Sequence, residues 1–370
     1  MALSKIKANS ITDDSITVDQ IADTAVHGRR NLLINGAMQV AQRATSETGQ
    51  SSGGYGTVDR FKFNNTGRDQ HVYTEEQSTD APDGFSNSFK ITTTTVETAI
   101  DADDAFWIEQ LMEGQDVQHL KNGSSGAVSL TLSFYVKSSQ TGTFGVNLYK
   151  GDNTGRVINA TYTISSANTW EYKTITFPGD TSGGGIVNDN TEGLRVVWHL
   201  ASGSNLDSVN STSWANYSTT NWAGGHAQDG VITTLNATWQ VTGCQLEVGD
   251  KATPFEHRSY GEESALCYRY FYRFTGHGTL FYADYYSTDT FITKEGLPVE
   301  MRVNPTVTSR GTGGSGGTAF SYTNLAATPT LGASGKNAVA VYRGIASSAR
   351  TYLHLYSTSS DYSVDASAEL

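Results

Sequence analysis

The stretch Val128-Ser129-Leu130-Thr131-Leu132-Ser133-Phe134-Tyr135-Val136 places Val128, Leu130, Leu132, Phe134 and Val136 on one side of an extended chain, with hydroxyl-bearing residues on the other. A strict period of two excludes a helix, whose faces repeat every ~3.6 residues, and predicts a strand with one face in a core. Similar segments follow one another at 29–43, 57–63, 89–96, 144–149, 160–164, 170–177, 194–200 and 238–248, separated by Gly- and Asn-rich turn signals. Roughly ten strands in one stretch is the size of a jelly-roll sandwich. Composition agrees. Charged residues are 17% and hydrophobic residues 37%, with 38 Gly, which leaves too few helix formers for a bundle. No apolar run reaches the ~18 residues of a membrane-spanning helix. Aromatic residues at 11% can build a core, against disorder. The expected fold is all-β: a jelly-roll β-sandwich body, a short helix, and a smaller C-terminal β-sandwich.

The chain divides into four pieces. In residues 1–28, Ile6, Ile11, Ile16 and Ile21 recur every five positions, which suits neither a helix nor a flat strand. Such sparse apolar residues need other copies or a partner to cover them, or else the segment is a solvated tail. Residues 29–258 are the body. Within it, 103–120 departs from alternation: Phe106, Ile108, Leu111, Met112, Val117 and Leu120 make a partial helical stripe behind Asp103 and Asp104, so a short helix or irregular turn is expected there. Residues 259–274 carry Glu262 and Glu263 where a helix start favours negative charge, and read as a linker helix. Residues 275–370 form a second β-domain. All six Trp precede residue 240, and this part is instead rich in Tyr.

The net charge of −12 and the lack of a basic stripe argue against nucleic acid. The N-terminus has no apolar signal core, so synthesis in a cytoplasm without a signal peptide is expected. Cys244 and Cys267 form no metal-binding pair, and two buried free thiols are expected over a bridge.

The segment junctions carry sequence motifs. Arg29-Arg30-Asn31-Leu32-Leu33-Ile34-Asn35-Gly36 opens the body, and Val58-Asp59-Arg60-Phe61 follows. Gln245-Leu246-Glu247-Val248-Gly249 and Pro254-Phe255-Glu256-His257-Arg258 close it, then Ser259-Tyr260-Gly261-Glu262-Glu263, and the chain ends Ala368-Glu369-Leu370. In combination these resemble tail fibre and related virion proteins of tailed bacteriophages, over about two thirds of the chain. The resemblance implies a homotrimer, a sandwich similar to carbohydrate-binding modules, docking of residues 1–28 on phage tail or adaptor proteins, and a distal C-terminal domain facing the host. It implies location in the virion tail and no membrane insertion. The motif residues themselves read as fold-specifying: Asn35-Gly36 as a turn in which Gly takes positive φ, Pro254 as a strand stop, and Asp59 with Arg60 as a surface pair at most.

The best binding candidate is the 205–230 loop, where Trp214, Tyr217 and Trp222 lie among Ser, Thr, Asn and Gly. Aromatic faces with interspersed hydrogen bonders suit sugar rings, as in a host-surface glycan; the alternative is that Trp214 and Trp222 bury against the sandwich or a neighbouring subunit. Tyr282, Tyr285 and Tyr286 are a second glycan candidate. Glu109 and Glu113, with Asp103 and Asp104 nearby, are the pair a glycan depolymerase would need. No nucleophile elbow and no spaced His ligands occur, so no catalytic residues, cofactor or transition metal are assigned. Asx-rich segments at 151–155 and 188–192 could hold a structural calcium or be ordinary turns. A non-enzymatic fibre is expected, with a depolymerase spike or a purely structural decoration or adaptor protein as alternatives.

Overall fold

The structure, a computed structural model, describes residues 29–275, 278–287, 290–310, 330–344, 353–357 and 363–370. The arm with Ile6, Ile11, Ile16 and Ile21 lies outside the described residues. The body contains β1 (Ser46–Gln50), β2 (Lys62–Thr66), β3 (Val72–Ser78), β4 (Ser88–Thr95), β5 (Ala105–Glu113), β6 (Leu130–Ser138), β7 (Gly142–Lys150), β8 (Arg156–Ile164), β9 (Glu171–Phe177), β10 (Glu192–Ser202), β11 (Ala215–Asn216) and β12 (Thr238–Val248).

These make two six-stranded antiparallel sheets, ordered β1-β3-β4-β12-β6-β9 and β11-β8-β7-β10-β5-β2. Their inner faces share one core. Leu132 and Phe134 of β6, Phe89 and Ile91 of β4, and Val241 of β12 meet Phe63, Ile108, Val146 and Trp198 from the second sheet. Phe134 packs edge-on against Tyr162 at 5.1 Å and against Trp198 at 5.9 Å. The chain is therefore an all-β protein built on a sandwich.

Residues 103–120 contain no α-helix. They form β5, with every residue buried, followed by two 3-10 turns at Gly114–Asp116 and Gln118–Leu120. Ile108, Leu111 and Met112 copy a helical stripe because this strand is covered on both faces, so its apolar residues need not alternate. Residues 29–43 contain no strand. Their backbone is satisfied largely by side chains: Asn31 Oδ1 accepts from the amides of Leu33 and Leu246 at 3.0 and 3.1 Å, and Asn35 Nδ2 donates to the carbonyls of Val40 and Asp59 at 2.8 and 2.9 Å. In the Asn35-Gly36 pair, Asn35 takes the positive φ, at 61°. Gly36 is required for space, since a Cβ there would lie 2.1 Å from the Cys244 carbonyl oxygen. Pro254 stops no strand, because β12 already ends at Val248; its carbonyl accepts from Arg30 Nη2 at 2.9 Å.

The linker helix occupies Tyr260–Tyr268, capped by Ser259, and β13 (Phe271–Thr275) follows. The remaining strands are β14 (Gly278–Ser287), β15 (Thr290–Gly296), β16 (Thr306–Arg310), β17 (Thr330–Ala333), β18 (Ala338–Gly344), β19 (Leu353–Ser357) and β20 (Ser363–Ser367). They form antiparallel sheets ordered β13-β20-β16 and β17-β18-β15-β14-β19. Tyr282, Tyr285 and Tyr286 belong to β14 by backbone, and their side chains lie outside the described residues.

The C-terminal strands are tied to the body. Arg60 is buried, with its guanidinium 3.5 Å above the Tyr270 ring and ion-paired to Glu369. Tyr270 Oη donates to Glu113 at 2.6 Å, and Arg269 grips the same carboxylate with two bonds of 2.7 Å. Asp59 and Arg60 are thus not a surface pair. Asp59 is 1% exposed and accepts instead from the Gln42 amide at 3.0 Å.

Candidate functional site

The 205–230 loop lies over the outer face of the second sheet. Backbone bonds fix it: Ala223 N donates to Leu206 O at 2.8 Å, and Val209 N to Thr220 O at 2.9 Å. The Ser218–Asn221 reciprocal cap sets a tight turn just before Trp222. This delivers Tyr217 and Trp222 to outward-facing residues of three adjacent strands: Trp107 of β5, Arg195 of β10 and Tyr149 of β7. Together with Thr66 and Leu206 they line a cleft of about 360 Å³.

The rings meet edge to face. Trp222 lies 5.5 Å from Trp107, 5.7 Å from Tyr149 and 5.9 Å from Tyr217, all near perpendicular. The guanidinium of Arg195 sits 4.9 Å over the Tyr149 ring. It is held in place by Glu192, at 2.5 and 2.6 Å, and by Glu109, at 2.9 Å. Glu109 also accepts from the Trp107 indole at 2.9 Å. The cleft therefore combines an aromatic wall with a pre-positioned guanidinium whose remaining N–H donors can serve a ligand.

Of the two readings open from sequence, burial against the sandwich describes Trp222, which is 8% exposed, while Tyr217 at 39% stands open to solvent. Trp214 is elsewhere: its indole donates to Pro178 O at 2.7 Å, and it packs on the core. Trp107, Tyr149 and Arg195 were not singled out from sequence. Arg195 lies directly opposite Tyr149, while Trp107 lies opposite His199 further along β10, on a strand whose sequence copies a helical stripe.

The carboxylates suspected of catalysis are engaged. Glu109 and Glu113 lie four apart on a strand, not a helix face. Burial pushes the Glu113 carboxyl up, but its bonds from Arg269 and Tyr270 outweigh this and hold it below the usual range. Asp104, buried and raised by desolvation, accepts from the Asp101 amide at 2.9 Å, and Asp103 accepts from Asn205 at 2.8 Å.

The Asx-rich segments are tied into turns: Asp189 accepts from both N and Oγ1 of Thr191, and Asp152 accepts from the Val187 amide. Among the described residues no group of three or more His, Cys, Asp or Glu side chains converges as metal ligands would. Cys244 and Cys267 are both buried and free.

No protein-family model matches this sequence. No curated protein matches it either. Among solved structures the fold is similar to the enzymatically active domain of tailspike protein 4 from bacteriophage CBA120, at 11% identity and TM-score 0.33, over 59% of this chain and 21% of that one. It is similar to a CBM4 structure, at 11% identity and TM-score 0.30, over 58% of this chain and 98% of that one. A third is the family 11 carbohydrate-binding module from Clostridium thermocellum in complex with a β-1,3-1,4-mixed-linked tetrasaccharide, at 12% identity and TM-score 0.27, over 58% and 99%. Similarities this distant say nothing of what this chain binds.

Proposed function

We propose that this chain is a non-enzymatic, glycan-binding component of a tailed-phage virion: a trimeric tail fibre, docked on the tail through residues 1–28, whose sandwich contacts host-surface glycan. The observation that carries the glycan reading is the cleft in which Tyr149 and the exposed Tyr217 stand over the buried Trp107 and Trp222, beside the fixed Arg195. Rings take the C–H faces of a sugar, and the guanidinium donates to its hydroxyls. The virion assignment is supported by the junction motifs, whose residues are joined to one another in space.

Two measurements test the parts separately. Tyr217→Ala is expected to weaken adhesion of the purified protein to host cells by roughly tenfold without changing its melting temperature. Adhesion equal to wild type would remove the cleft from the account. A chain lacking residues 1–28 is expected to remain trimeric or become monomeric, and in either case to be missing from assembled virions. Its incorporation at normal occupancy would overturn the docking role.

A further inference from the structure

On the opposite sheet, β6 and β9 share a second outward face, open to solvent along β9, with Thr131 and Ser133 of β6 nearly covered. Their register pairs Thr131 with Thr176, Ser133 with Thr174, and Tyr135 with Tyr172. Because side chains alternate, these six share one face, while Leu130, Leu132, Phe134 and Val136 enter the core. The result is an uncharged floor of hydroxyls ending in a cross-strand tyrosine pair, ring centroids 4.8 Å apart. Spanning Thr131 to Tyr135, it runs roughly 14 Å along the strands, long enough for several sugar rings.

Two segments wall this floor into a groove of about 750 Å³. On one side Phe85 stands 5.6 Å from Tyr135. It can do so because Gly243, at φ +62° in the β12 bulge, has no Cβ; one there would lie 2.8 Å from the Phe85 ring. On that same side comes the closing motif, in ring contact with Phe85. Along Pro254-Phe255-Glu256-His257-Arg258, Glu256 and Arg258 point inward and bind the opening motif, while Phe255 and His257 point outward and meet Phe85 at 5.0 and 5.3 Å. The motif thus both closes the body and builds the wall of the groove.

We propose that this groove is a second ligand site, which takes a neutral oligosaccharide lying along β6 and β9. It rests on the glycan-binding reading for its ligand class only; its residues are wholly separate from the Tyr217–Trp222 cleft. Rings at one end, hydroxyls along the floor and the charged side chains of Asp83, Asp250 and Lys251 in the lining fit alternating C–H faces and hydroxyls. Two carboxylates against one ammonium, on a chain of net charge −12, disfavour an acidic polymer.

The test uses the full-length protein and neutral hexasaccharides of glucose and mannose as probes, titrated by calorimetry and by tryptophan fluorescence. No Trp lines the groove, whereas Trp107 and Trp222 lie in the cleft, so the two sites are separable. At least one probe is expected to bind with a heat signal that Tyr172→Ala weakens roughly tenfold and that Tyr172→Phe and Tyr217→Ala leave intact. Tyr172 is on an edge strand and 47% exposed, so its removal spares the fold; Thr174→Arg, which fills the floor, is expected to have the same effect. Binding that survives both Tyr172→Ala and Thr174→Arg overturns the proposal, as does the failure of every probe to bind at about millimolar concentration. A change of oligomeric state on Tyr172→Ala with glycan affinity unchanged would give the face to a neighbouring copy and overturn it as well. Each of these results leaves the effect of Tyr217→Ala on host-cell adhesion to be read independently.

Discussion

Glu256 accepts a hydrogen bond from the backbone amide of Asn31 at 2.7 Å, across 225 positions of chain. The same oxygen accepts from the Arg30 amide at 2.6 Å, and Gln245 Oε1 receives the Glu256 amide at 2.8 Å. The opening and closing motifs of the body are therefore one latch. Charge-assisted bonds to two half-buried amides make Glu256→Ala expensive: a loss of roughly 2–4 kcal/mol is expected in denaturant unfolding, with Glu256→Gln retaining part of it. A change below about 0.5 kcal/mol would mean that the latch is not structural.

Gly36 lies in the same latch. With a Cβ placed 2.1 Å from the Cys244 carbonyl, Gly36→Ala cannot be accommodated without moving β12. The expected cost exceeds about 3 kcal/mol, read as lost soluble yield or a collapsed melting temperature. Normal thermal stability would show that the contact relaxes easily.

How much of this was readable beforehand depended on burial. β6 was legible because one face alternates cleanly, and 238–248 matches β12 end to end although a bulge between Thr242 and Gln245 breaks its alternation. β5 was not, because both its faces are covered and its charged Glu109 and Glu113 are neutralised by Arg195 and Arg269, partners distant in sequence. The 29–43 stretch is rich in hydrophobic residues like a strand, yet most of its paired amides bind side chains, and only isolated backbone bonds such as Leu32 to Leu246 reach β12. Of the loop aromatics, Tyr217 and Trp222 meet and Trp214 does not, a distinction of three-dimensional placement that spacing cannot carry. The groove was illegible because its rings come from positions 85, 135, 172, 255 and 257, which no local pattern joins.

The penultimate residue should matter as much as any in the body. Glu369→Ala leaves Arg60, 1% exposed, without its carboxylate. Breaking a buried pair from one side costs about 3–5 kcal/mol, so a marked drop in melting temperature is expected. Since Arg43 also donates to Glu369 at 3.0 Å, Arg43→Ala alone should cost less. Equal stability of Glu369→Ala and wild type would contradict the tie between the chain's end and the body.

Stability should also depend on pH through two buried acids. Burial raises the Glu75 carboxyl to about 7 and that of Asp59 to about 6. A folded-state value above the unfolded one means that the fold holds protons the unfolded chain releases. This contribution is complete below the unfolded value and is lost as pH rises through about 6 to 7. Glu75→Gln, which cannot ionise, is therefore expected to gain on wild type between mildly acidic and mildly alkaline conditions, read from unfolding midpoints. A difference independent of pH would show that Glu75 titrates as an ordinary carboxyl.

The central claim is that the sandwich binds host-surface glycan. The most direct measurement is an equilibrium titration of the intact, folded protein with purified bacterial surface polysaccharide. Saturable binding, lost progressively as Tyr217 and Tyr172 are replaced by Ala, is the expected result. A well-folded protein that binds none of that polysaccharide at about millimolar sugar would contradict it.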